Sequence, residues 1–125
     1  MNPEALRFYQ EALALFKQLG NPLGQASTLG NIGNVYFRQG KYEKALRSHQ
    51  DALAIDKQLG DPLGQANAYT NIGNVYADQG KTQEARASLT QARTLYLQLG
   101  SNSRGLQIVE QTLNRLRSAN TDKLG

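Results

Sequence analysis

Asn31-Ile32-Gly33-Asn34-Val35-Tyr36 returns forty residues later, unchanged, as Asn71-Ile72-Gly73-Asn74-Val75-Tyr76. The match widens on both sides. Pro22-Leu23-Gly24-Gln25-Ala26 returns as Pro62-Leu63-Gly64-Gln65-Ala66, and Lys17-Gln18-Leu19-Gly20 as Lys57-Gln58-Leu59-Gly60. Between residues 1–40 and 41–80, 24 of 40 aligned positions are identical. Chance does not give that level, so the chain is built by repetition. A third copy starts at Lys81 and keeps Ala85, Ala92 and Gln98-Leu99-Gly100 before it gains one residue and diverges.

Each copy reads as two helices. Leu29, Ile32, Gly33 and Tyr36 lie at i, i+3, i+4 and i+7, one face of a helix. Tyr42, Ala45, Leu46, His49, Ala52 and Leu53 repeat the pattern in the next. Gly40 and Gly80 separate the two helices of a unit, and Gly20, Gly60 and Gly100 end the second, where a glycine takes positive φ most easily. Asn21-Pro22 and Asp61-Pro62 restart the chain as N-cap and first helical residue, and Asn2-Pro3 repeats the device. Six helices follow, near 3–19, 22–39, 41–59, 62–79, 82–99 and 103–118. Gly33 and Gly73 cost about 1 kcal/mol each against alanine in mid-helix. The expected compensation is close helix approach, with Ala45, Ala52, Ala85 and Ala92 as small partners.

Composition narrows the function. The chain has 125 residues and a net charge of +4, enough for one domain. It has no cysteine and one histidine, His49. That excludes a disulfide framework, a thiol nucleophile and Cys- or His-rich metal sites, so no cofactor, no metal and no catalytic residue are expected. No apolar run reaches the roughly 18 residues of a membrane span. Met1-Asn2-Pro3-Glu4 has no features of a secretory signal, so the expected location is cytoplasmic.

The order Leu29, Ile32-Gly33, Tyr36, Gly40, Tyr42, Ala45 and Ala52 resembles the tetratricopeptide repeat. Tyr69, Ile72-Gly73, Tyr76, Gly80, Ala85 and Ala92 repeat the match, with Thr82 where Tyr42 stood. The 40-residue period is similar to the long repeats of Pins-type spindle-orientation adaptors and bacterial multi-repeat signalling proteins. The resemblance implies an all-α solenoid of stacked antiparallel helix pairs over residues 1–118: a half repeat at 1–20, repeats at 21–60 and 61–100, and a capping helix at 101–118. Residues 119–125 are expected to form a flexible tail. It also implies a concave groove, lined by first helices, that holds a peptide of a partner protein. Carried over by position, the groove set is Ser27, Gly30, Asn31, Asn34, Phe37 and Arg38, then Asn67, Thr70, Asn71, Asn74, Ala77 and Asp78.

The four asparagines suit that role, because an amide both donates to and accepts from a peptide backbone. Arg38 and Asp78 differ between copies and would give specificity. Gly80-Lys81-Thr82 is not a phosphate-binding loop: position 75 is Val where the loop needs Gly, and a helix precedes it. His49 is expected to be a packing residue, and Asp51 and Asp56 a solvated face. Net charge is +1 over residues 1–40, −1 over 41–80 and +4 over 81–125. No basic stripe interleaves with aromatics, so nucleic acid is not the expected partner. Leu106, Val109, Leu113 and Leu116 give the last helix the apolar stripe of a cap. The first helix matches the second helix of a repeat whose first is missing. It carries Phe8 and Phe16 where the next copy has Ser48 and Asp56. Either the chain belongs to a longer array, or another chain covers that helix, as in a homodimer through Phe8 and Phe16. The expected function is a protein-binding module of roughly micromolar affinity. The alternative is a structural or self-associating solenoid segment of a larger regulatory protein.

Overall fold

The computed structural model describes residues 3–100 and 103–124, with side chains as far as residue 118. Six helices follow in order: α1 (Pro3–Gln18), α2 (Pro22–Arg38), α3 (Tyr42–Gln58), α4 (Pro62–Asp78), α5 (Thr82–Gln98) and α6 (Arg104–Leu124). No strand occurs among the described residues. The first five helices end where the glycines predict. The sixth runs on to Leu124, past the expected end at 118 and into the stretch expected as a tail. Asn2 and Gly125 lie outside the described residues.

The turns follow from local chemistry. Gly20, Gly40, Gly60, Gly80 and Gly100 have φ between 63° and 77°, a region where any side chain is strained. At the first of these turns the Asn21 N–H donates to the Phe16 carbonyl at 2.9 Å and the Gly20 N–H to Lys17 at 3.2 Å. That pair satisfies carbonyls left open at the helix end. The next helix starts at once: the side chains of Asn21 and Asp61 accept from Gly24 N–H and Gly64 N–H, each at 3.0 Å. α3 and α5 start at Lys41 and Lys81 without a side-chain cap, so they depend on packing.

That packing is mostly between successive helices, and α2 and α4 barely touch. Two buried clusters result. Ala45, Leu46, Ile72 and Val75 pack with Tyr36, Tyr42 and Tyr76. Leu89, Ala92, Tyr96, Leu106 and Val109 pack with Leu113 and Leu116, so the apolar stripe of α6 lies against α5. Burying one such leucine stabilises the fold by about 1.5–3 kcal/mol.

The mid-helix glycines do admit a close approach, but chiefly of other residues than the alanines expected. A methyl group on Gly33 would stand 2.5 Å from His49 Nε2, and one on Gly73 2.6 Å from Leu89 Cγ. Of the four alanines, only the Ala85 carbonyl oxygen, at 3.3 Å from the Gly73 position, is among these nearest atoms. Each second helix drives one large side chain into a hole that only glycine leaves open.

Candidate functional site

Because α2 and α4 stand apart over α3, a recess of about 300 Å³ opens between them. Ser27, Asn31 and Asn34 line it from α2, and Asn67 and Asn71 from α4. Their spacing of three and four residues puts them on one helical face. Half of the groove residues expected from the sequence are thus brought together. Asn67 is held in place: its Oδ1 accepts from the Tyr96 hydroxyl at 2.5 Å, leaving its NH2 group as a donor.

The other expected groove residues do not line this recess. Thr70 is buried and donates its hydroxyl to the Ala66 carbonyl at 2.8 Å. Threonine in a helix commonly makes this bond, and here it consumes the group. Phe37 packs against the first cluster, 6.0 Å from the Tyr42 ring. The Tyr42 hydroxyl donates to Asp78 at 3.3 Å. Arg38 is exposed and Asn74 half-buried, both away from the recess.

Phe8 and Phe16 also separate. Phe8 is 67% exposed. Phe16 is half-buried, its ring over Gly24 of α2, so its contact lies within the chain.

From α3 the recess takes His49, Ala52 and Asp56. His49 is 1% exposed, as a packing residue should be. Burial pushes its pKa down to about 4, so the ring is neutral near pH 7. Its buried Nδ1 makes no hydrogen bond. Asp51 is exposed, but Asp56, expected on the same solvated face, is only 6% exposed. It points under Gly64, where the absent Cβ leaves room: a methyl there would stand 2.7 Å from both Asp56 Cγ and Asp61 Oδ2. Burial first, and the Asp61 charge second, push the Asp56 carboxyl up from its ordinary value. Among the described residues its carboxylate has no hydrogen bond and no ion pair.

Asp56, Asp61 and the rim residues Leu23 and Leu63 are the part of the site that periodicity missed. A signal was present. Position 16 is Phe, position 56 is Asp and position 96 is Tyr, so the middle copy carries an acid where the copies on either side carry a ring.

Among the described residues no group of three or more His, Asp or Glu side chains is placed to hold a metal ion. No helix among them is long and apolar enough to cross a membrane.

Comparison with known proteins agrees with this architecture. No curated protein matches the chain. The crystal structure of BtubC (BKLC) from P. vanneervenii is similar with a TM-score of 0.64 at 18% identity. The match covers 96% of this chain and 57% of that one, and at such identity the likeness is one of fold. The sequence profile described as tetratricopeptide repeat matches residues 2–58 and again 24–98. The chain belongs to the tetratricopeptide repeat family.

Proposed function

We propose that the chain is a non-catalytic binding module that holds a segment of a partner protein between α2 and α4. Tetratricopeptide repeats generally mediate protein–protein interaction and are typically non-catalytic. The observation that supports this use of the groove is the convergence of Asn31, Asn34, Asn67 and Asn71 on one open recess. Each amide bond to a bound backbone contributes about 0.5–1.5 kcal/mol net. A few of them with some apolar contact fit a micromolar complex, in keeping with a cytoplasmic adaptor that exchanges partners.

Panning a random peptide library on the protein tests the reading. Enriched peptides are expected to bind the wild type and to lose at least about tenfold in affinity on the Asn31→Ala, Asn71→Ala double variant. Folding of that variant is checked by circular dichroism. Failure to enrich any peptide that depends on these asparagines would remove the groove reading.

A second reading is self-association through α1, supported by the exposure of Phe8, Leu15 and Leu19. Sedimentation of the wild type beside Phe8→Ser tests it. A concentration-dependent dimer lost in the variant is the expected sign, and a monomer at all concentrations rejects it.

A further inference from the structure

We propose that the recess between α2 and α4 receives the guanidinium group of an arginine on the partner segment, with Asp56 as its principal acceptor. The proposal rests on the groove reading above and names the chemistry that the groove selects.

Three junctions between successive repeats are equivalent. Phe16 faces Gly24, Asp56 faces Gly64, and Tyr96 faces Gly105. A ring fills the first and last. The middle one holds Asp56, a residue 6% exposed whose carboxylate has no protein partner and borders the recess. Even partial burial of a carboxylate without a protein partner costs free energy. The N-terminus of α4 gives Asp56 no hydrogen bond from Gly64, since the group that caps Gly64 N–H there is Asp61. Asp61 instead adds a second negative charge beside Asp56, and no residue lining the recess is basic.

The lining of the recess sets the chemistry of its occupant. It is a cation, because two carboxylates and no counter-charge line the site. A divalent metal ion fits poorly, because among the described residues no third carboxylate or imidazole joins these two. The acceptors are spread out: Asp56 between the helices, Asp61 at the α4 end, and the Asn31 and Asn71 carbonyls on opposite walls. Five donors in a flat fork satisfy several such acceptors at once, whereas an ammonium offers a point charge. Leu23 and Leu63, both largely exposed at the recess, give apolar surface for the arginine stem.

Peptides enriched by panning on the wild type supply the probe. Their affinities are measured by fluorescence anisotropy with the arginine intact and with citrulline, which keeps the shape and loses the charge. The expected result is an arginine whose replacement weakens binding roughly tenfold to hundredfold on the wild type and changes little on Asp56→Asn. Asp56→Tyr, which restores the ring of the neighbouring junction, is expected to fold and to exclude the peptide. Peptides that need Asn31 and Asn71 but tolerate citrulline would overturn the arginine assignment and leave the groove reading intact. Panning that yields no groove-dependent peptide would overturn both. N-acetyl-arginine amide binding as tightly as the peptides would make the occupant a free guanidinium compound, and would overturn the assignment to a partner protein.

Discussion

Tyr96 and Asp56 hold the same position in successive repeats, yet their junctions differ in kind. Over Gly105 the Tyr96 ring is fully buried among Leu89, Ala92 and Leu106, and its hydroxyl bonds Asn67. Over Gly64 the shorter Asp56 leaves a recess that opens to solvent. The backbone supplies the same hole twice, and the side chain decides whether it is closed for stability or left open beside a carboxylate that has no protein partner. Departures from the local packing rule of this kind concentrate at functional sites.

Breaking the closed junction should have the largest effect. Tyr96→Ala removes a buried ring and the partner of Asn67, and should cost about 3–5 kcal/mol, read as a lower urea midpoint. Acid comes next and separates His49 from Asp56. Folded His49 resists protonation down to about pH 4, whereas the unfolded chain takes up that proton near 6.5. The stability from neutral His49 is therefore intact above pH 6.5 and is lost as pH falls toward 4. Asp56 has the opposite sign: its folded carboxyl is pushed up, so its cost is present at neutral pH and is relieved by acid. Urea midpoints at neutral and at mildly acid pH should accordingly show a smaller acid loss in His49→Leu than in the wild type. Closing the open junction is a smaller, favourable change. Asp56→Tyr should gain about 0.5–2 kcal/mol, as a filled recess does. Phe8→Ser, on the exposed face of α1, should stay within about 0.5 kcal/mol, and thermal unfolding would show the midpoint nearly unmoved.

The repeat, the helix pairs and the turns were legible because each is written locally. Gly20, Asn21 and Pro22 act within a few residues of one another, and so do Gly60, Asp61 and Pro62. That Asn31 and Asn71 line one recess follows from the period and the resemblance together. The fit of side chain to glycine across the turn was harder to read, because it depends on how one helix leans on the next. Asp56 lies on a helix whose apolar period allows either a solvated or a covered position there. Only the approach of Gly64 covers it. Thr70 was misplaced for a related reason: its bond to the Ala66 carbonyl turns a groove position into a closed one.

The most direct test of the contrast between open and closed junctions is calorimetric titration of Asp56→Tyr with an arginine peptide selected on the wild type. The expected result is no measurable binding by a protein that unfolds at a higher temperature than its parent. Binding at wild-type affinity would show that the recess over Gly64 is not where the partner docks.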